Sequence, residues 1–201
     1  MLDAPLRRLI DRPLAAAARP LAAAGIGADA VTLAGFALGI GAAAALAFGL
    51  YGLGLALLLA NRLADGLDGA VARIRGGTDF GGYLDIVCDF LVYNALVVGF
   101  ALADPAALVP ALFLLLAFVG TGSTFLAYAI LAAKRGTQTR ARGAKSFHYL
   151  GGLTEGSETI AFFVACCLWP AQFPLFAWIF AGLCALTALG RALVAWRDFG
   201  R

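Results

Sequence analysis

The sequence predicts an all-α polytopic membrane protein: six transmembrane helices preceded by an N-terminal interfacial amphipathic helix, in one domain over 1–201. Three observations carry that prediction. The chain is 62% hydrophobic and 13% charged, against roughly 25% charged residues in a soluble domain, and its mean hydropathy is +0.89. Apolar runs of the ~20 residues needed to cross a bilayer recur along it. Its Lys and Arg residues gather at every second junction between those runs.

In chain order, residues 1–24 mix Leu, Ile and Ala with Arg7, Arg8, Arg12 and Arg19, too polar to span and suited to lying in the membrane surface. The arginines and prolines there replace a continuous apolar stretch, so the first span, not a cleaved leader, is expected to direct insertion. Gly25 to Asp29 form a turn, with Asp29 placed to cap the next helix. Spans are predicted over about 31–49, 53–74, 80–101, 106–133, 156–170 and 173–196. The breaks between them fall at Gly49 to Gly54, at Gly76 and Gly77, at Asp104 and Pro105, and at Pro170. Gly120, Gly122 and Ser123 within the fourth span suit a kink or close packing.

The basic clusters are Arg7 to Arg19, Arg73 with Arg75, Lys134 to Lys145, and Arg191 to Arg201. The turns near Gly52, Asp104 and Ala171 carry no Lys or Arg. By the positive-inside rule, both termini and the basic loops are expected on the cytoplasmic side of the cell (inner) membrane. Cys88, Cys166, Cys167 and Cys184 lie in apolar runs without metal-ligand spacing and read as buried thiols. The net charge of +3 is mild and no basic stretch interleaves with aromatics, which argues against a nucleic-acid partner.

The chemistry concentrates between Asp65 and Asp89. In a helix, Asp65, Asp68, Gly69, Ala72 and Arg73 share one stripe, and Asn61 and Arg62 extend it by a turn. Gly81, Asp85 and Asp89 recur at i, i+4 and i+8 on a second helix. Side by side, the two helices bring four carboxylates together in the cytoplasmic half of the bilayer. Each ionised carboxylate there costs roughly 2.5 to 3.5 kcal/mol on insertion scales, and hard divalent cations such as Mg²⁺ or Mn²⁺ compensate. Glycines let a ligand approach the backbone and Arg73 suits a phosphate oxygen, so the set reads as a diphosphate site. Buried salt bridges to Arg62, Arg73 and Arg75, or a divalent-cation transporter, are the alternatives.

The spacing Asp65-x2-Asp68-Gly69-x2-Ala72-Arg73-x7-Gly81-x3-Asp85-x3-Asp89 resembles the full signature of the CDP-alcohol phosphotransferases, membrane enzymes of phospholipid synthesis. All eight fixed positions match. UbiA-type prenyltransferases also bind diphosphates through Mg²⁺, but lack this register. The resemblance implies that Asp65, Asp68, Asp85 and Asp89 hold two Mg²⁺ or Mn²⁺ ions. It gives the CDP and diphosphate pocket to Asp65, Asp68, Gly69, Ala72, Arg73 and Gly81; Thr32, near the start of the first span, resembles a polar position lining that pocket but reads first as a plain helix-end hydroxyl. Asp89 takes the family's role of general base, accepting a proton from the acceptor hydroxyl. The substrates implied are CDP-diacylglycerol, or another CDP-alcohol, and a small alcohol; the family also tends to form homodimers.

Several residues carry two readings. Asn61 and Arg62 touch the nucleotide or diphosphate, or Arg62 is simply the counter-ion of Asp65. The basic loop beginning with Lys134 and Arg135 attracts an acceptor phosphate or anionic lipid headgroups, or only marks topology. Glu155 and Glu158 recognise a cationic acceptor, or only favour the start of the fifth span. His148 reads as interfacial, and Gly35 with Gly39 as a packing motif. Phe90, where family members with phosphorylated acceptors often carry Lys or Arg, argues for an uncharged or amino alcohol.

Overall fold

The computed structural model describes residues 3–135 and 153–200. The segment 136–152, which holds most of the basic loop and His148, lies outside the described residues. Seven α-helices run through the described chain: α1 Asp3–Ala23, α2 Ala28–Ala47, α3 Tyr51–Arg75, α4 Asp79–Ala103, α5 Leu108–Lys134, α6 Gly156–Leu168 and α7 Phe173–Phe199. Short 3-10 turns at Pro105–Ala107 and Pro170–Gln172 lead into α5 and α7.

Each boundary has a local cause. After α2 the chain reverses through Gly49, and after α3 through Gly76, with φ +72° and +93°, values that L side chains rarely adopt. The Thr78 hydroxyl caps α4 by accepting from the Gly81 N–H at 2.9 Å. Asp104 takes the Ala106 N–H at 2.9 Å, after which Pro105 opens the next turn. Asp29 does not cap α2: Gly27 occupies the cap position and Asp29 lies within the first turn, where a carboxylate still favours the helix dipole.

Among the described residues, four stretches are long and apolar enough to cross a membrane: Ala28–Ala47, Asp79–Ala103, Pro105–Lys134 and Pro170–Phe199. The protein is an all-helical membrane protein, and the predicted count of six needs two qualifications. Helix α3, with 25 residues, has the length, but Arg62, Asp65, Asp68, Arg73 and Arg75 deny it a uniformly apolar surface. Helix α6 covers 13 residues, short of the ~17–25 that a crossing requires. Pro170 ends it, because proline disfavours helical backbone at the preceding residue, and Trp169 accordingly sits at φ −127°, ψ 67°.

The helices pack as two groups. In one, α2 lies against both α3 and α4, and α1 lies against α3; in the other, α5 pairs with α7. Gly39 lets α2 touch α4: an added Cβ would stand 2.5 Å from Val92 Cγ2. The Gly35–Gly39 motif therefore serves packing within the chain. Helix α1 seats Leu14 and Ala18 against Ala70 and Val71. The largest core cluster runs from Leu46 and Leu58 through Leu96 and Phe100 to Phe163 and Phe173. All four cysteines are buried and free, as expected.

Candidate active site

The α2–α3–α4 group encloses a narrow cleft. From α2 it takes Thr32, Gly35 and Phe36; from α3, Asn61, Arg62, Asp65 and Asp68; from α4, Asp85, Cys88 and Asp89. One carboxylate oxygen from each of Asp65, Asp68 and Asp85 lies within 4.8 Å of the others. Helical geometry explains the convergence, since Asp65 and Asp68 are neighbours on one face of α3 and that face meets the stripe of α4.

Asp68 is the most enclosed of the four cleft aspartates, 6% exposed, and accepts a 2.6 Å hydrogen bond from Thr32 Oγ1. The same hydroxyl stands 3.1 Å from the Ala28 carbonyl. Thr32 is thus a cleft residue, beyond the plain helix-end hydroxyl its position suggested. Three clustered carboxylates with a hydroxyl beside them form an all-oxygen donor set, which fits a hard divalent cation. The group has the composition of a metal site.

Arg62 makes the expected pair with Asp65 and a closer one besides. Its Nη1 is 3.7 Å from Asp65, but its Nη2 meets Asp89 Oδ1 at 2.8 Å. The main ionic partner is across the interface on α4, because α3 turns that face toward Asp89. Asn61 is 3% exposed; its amide donates to the Gly35 carbonyl at 2.8 Å and its oxygen accepts from Arg62 Nε at 2.8 Å. Asn61 ties α3 to α2 at the cleft wall.

The remaining motif residues lie around the cleft. Arg73 is exposed, with Nη2 3.7 Å from Asp11 of α1, and an added Cβ on Gly69 would find only Arg73 Nη1, at 3.6 Å. Among the described residues, no packing contact explains glycine at position 69. Ala72 is half-buried in the last turns of α3. Gly81 is constrained by its neighbours: a Cβ there would stand 2.9 Å from Asp29 Oδ1 and 3.1 Å from Thr78 Oγ1.

The residues read as acceptor contacts do not line this cleft. Glu155 and Glu158 form a capping box at the start of α6, each side chain taking a backbone N–H of the other's position. Arg135 donates to the Asp198 and Phe199 carbonyls at 2.8 and 3.3 Å, closing the C-terminal end of α7. Lys134 is exposed at the end of α5. The geometry gives Glu155, Glu158 and Arg135 local structural tasks.

Sequence reasoning missed Tyr93 and Asp29. Tyr93 continues the Gly81, Asp85, Asp89 stripe by one further i+4 step, so the signal was present, and its hydroxyl meets Arg62 Nη1 at 2.9 Å. Asp29 carried no such signal, because its contact with Gly81 depends on how α2 crosses α4.

Comparison with known proteins agrees with this geometry. The CDP-alcohol phosphatidyltransferase family model matches residues 26–189. The chain belongs to that family. It is therefore a membrane transferase of the phospholipid-synthesising kind, and the cation-transporter alternative is set aside. The inner membrane protein YnjF of Escherichia coli is 51% identical over 193 residues, 95% of this chain and 93% of that protein. The archaetidylinositol phosphate synthase of Methanothermobacter thermautotrophicus is 45% identical over 73 residues, 36% of this chain and 37% of that one.

Among solved structures, the phosphatidylinositol phosphate synthase of Mycobacterium tuberculosis with CDP-DAG bound superimposes with a TM-score of 0.75. It is 24% identical, over 92% of this chain and 94% of that one. The same enzyme in complex with manganese and citrate gives a TM-score of 0.72 at 26% identity, over 91% and 88%. The manganese complex and the carboxylate group seen here together support divalent-metal binding in this chain.

Proposed function

We propose that this protein transfers a phosphatidyl group from CDP-diacylglycerol to the hydroxyl of a small alcohol, releasing CMP. The observation that carries the reading is the convergence of Asp65, Asp68 and Asp85 within 4.8 Å, in a cleft that Asp89 also lines. Asp65, Asp68, Asp85 and Asp89 are the residues that hold Mg²⁺ or Mn²⁺, two ions by family resemblance. When bound, such ions neutralise diphosphate charge and stabilise the leaving group.

The chain's own residues do the rest. Gly69 leaves the backbone of α3 open to the diphosphate, and Arg73 beside it supplies donors for a phosphate oxygen. Asp89 accepts the proton of the acceptor hydroxyl, whose oxygen then attacks the phosphorus that carries the lipid alcohol. Arg73 and Arg75 end α3, Lys134 ends α5 and Arg197 stands in the last turn of α7. That distribution supports the site and both termini facing the cytoplasm. The functional unit proposed is a homodimer.

An uncharged or amino alcohol such as serine, choline or ethanolamine is the acceptor that Phe90 favours. The names of the two synthases above keep inositol phosphate in the test. The deciding experiment is CMP release by the purified protein in detergent with Mn²⁺ or Mg²⁺ and CDP-diacylglycerol, with each candidate acceptor added separately. Acceptor-dependent release that disappears in Asp89→Asn is the expected result. Silence with CDP-diacylglycerol but release from CDP-choline or CDP-ethanolamine plus diacylglycerol would replace it with transfer of a phospho-alcohol to a lipid hydroxyl.

A further inference from the structure

Arg62 stands on α3 with its side chain one-tenth exposed (10%), outside the eight-residue signature, and its guanidinium is engaged on three sides. Nη2 donates to Asp89 Oδ1 at 2.8 Å, Nη1 to the Tyr93 hydroxyl at 2.9 Å, and Nε to Asn61 Oδ1 at 2.8 Å. The guanidinium carbon lies 5.1 Å from the centre of the Tyr93 ring. Asp89 and Tyr93 are four residues apart on α4, one turn along the same face. One planar fork therefore grips two successive positions of the α4 stripe. Asn61 is anchored in turn to the Gly35 carbonyl of α2, so the connection runs through three helices.

A planar group with donors fixed in a fork sets direction as well as distance, which an ammonium on a flexible stem does not. Asp65, at 3.7 Å from Nη1, is the looser ionic neighbour. The rigid grip falls on the carboxylate to which the proton transfer is assigned.

We propose that Arg62, held by Tyr93 and Asn61, is the positioning residue of Asp89, fixing its carboxylate where it faces both the acid cluster and the acceptor hydroxyl. The proposal rests on the reaction above. In that reaction the acceptor O–H proton passes to Asp89 and a bond forms between the acceptor oxygen and the phosphorus. The phosphorus–oxygen bond to CMP then breaks, and CMP keeps the electron pair. Arg62 touches neither the proton nor the phosphorus. It sets the angle of the carboxylate that does.

The test compares Arg62→Lys, Tyr93→Phe, Asp89→Asn and the double variant Arg62→Lys/Asp89→Asn, all full-length in detergent. Lysine keeps the charge and loses the fork; phenylalanine keeps the ring and loses the hydroxyl. Arg62→Lys is expected to lower kcat at least about tenfold, in the range seen when groups orienting a site are lost, while KM for CDP-diacylglycerol stays within about threefold. Tyr93→Phe is expected to move kcat in the same direction by about threefold, the size of one lost hydrogen bond. Binding of Mn²⁺ alone, followed by electron paramagnetic resonance, supplies a readout that needs no turnover. Arg62→Lys should weaken it about threefold or more in the parent chain and not in the Asp89→Asn background, a coupling that only neighbours in one network show.

A loss confined to KM for CDP-diacylglycerol would make Arg62 a diphosphate ligand and overturn the proposal. So would unchanged kcat in both single variants, or equal weakening of Mn²⁺ binding with and without Asp89. A parent protein that binds Mn²⁺ but releases no CMP from any donor sinks the phosphatidyl-transfer reading. The Mn²⁺ coupling then decides on Arg62 by itself.

Discussion

The two helix groups solve the same packing problem with different materials. In the α2–α3–α4 group, small residues set the spacing: Gly35 would place a Cβ 2.9 Å from Ala64 Cβ, and Gly39 one 2.5 Å from Val92. Around α5, α6 and α7, rings fill the space. Phe162 of α6 stacks on Phe180 of α7 at 4.5 Å between ring centres, and Phe173 of α7 reaches across to Phe100 of α4 at 4.5 Å, while in α7 a Cβ at Gly182 or Gly190 would meet no described atom within 4 Å. Lipid tails are as apolar as Leu, so helices in a bilayer associate through contact and polar bonds more than through exclusion of water. Close backbones bring short aspartate side chains of different helices into one cluster. Ring packing holds helices together at a distance that carboxylates would not bridge.

The largest expected effect breaks the first group. Gly39→Leu forces a branched side chain against Val92 and Asn61 Nδ2, the latter 3.2 Å from the Cβ position, at a cost of about 3 kcal/mol, the upper part of the overpacking range. Because α2 carries Thr32 and α4 carries Asp85, separating them should also weaken Mn²⁺ binding at least about tenfold, given how sharply function falls with ångström misplacement. Melting in detergent and Mn²⁺ titration check the two parts. A variant that melts early yet binds Mn²⁺ normally would show that the cluster does not depend on close α2–α4 packing.

The second group should respond in the opposite sense. Phe173 is 1% exposed and lies in the aromatic stack, so Phe173→Ala opens a cavity. In a bilayer the cavity contribution dominates over transfer from water, leaving a loss on the order of 2 kcal/mol. Phe173 is not a cleft residue, so Mn²⁺ affinity should fall less than in Gly39→Leu, even though its ring stacks on Phe100 of α4. Loss of Mn²⁺ binding on this change would show that the Phe100–Phe173 stack sets the position of α4 at the cleft.

The same contrast marks what a sequence can carry. The stripes Asp65, Asp68, Gly69 and Gly81, Asp85, Asp89 were legible because helical periodicity alone puts their members on one face. The break residues Gly76, Asp104 and Pro105 were legible through backbone preferences that need no tertiary partner. Arg62 was legible as a cleft residue but its closer partner was not: Asp65 is three residues away in sequence, whereas Asp89 is reached only once α3 and α4 pack. Asp29 failed for the same reason. The capping box at Glu155 and Glu158 was readable, since acids three residues apart at a helix start fit that pattern. The sequence leaves that role and an acceptor role side by side, and the geometry adds support to the first. Pro170 was legible as the stop of α6, and the predicted 156–170 differs from Gly156–Leu168 only at its end; those bounds already fall short of the ~17–25 residues of a crossing.

The smallest expected effect in stability separates packing from chemistry most sharply. Gly69 lies inside α3, where glycine costs roughly 0.5–1 kcal/mol relative to alanine, and an added Cβ would meet only Arg73 Nη1 at an ordinary 3.6 Å. Gly69→Ala should therefore raise the melting temperature slightly, by that small increment of free energy. If the open backbone at Gly69 exists for the diphosphate, the same change should raise KM for CDP-diacylglycerol severalfold, since a methyl group would stand where the ligand approaches. A protein that gains stability while losing donor affinity would assign this glycine to the substrate. One that gains stability and keeps its KM would leave position 69 as a helix position where alanine serves equally well, and would move the diphosphate toward Arg73 and Gly81.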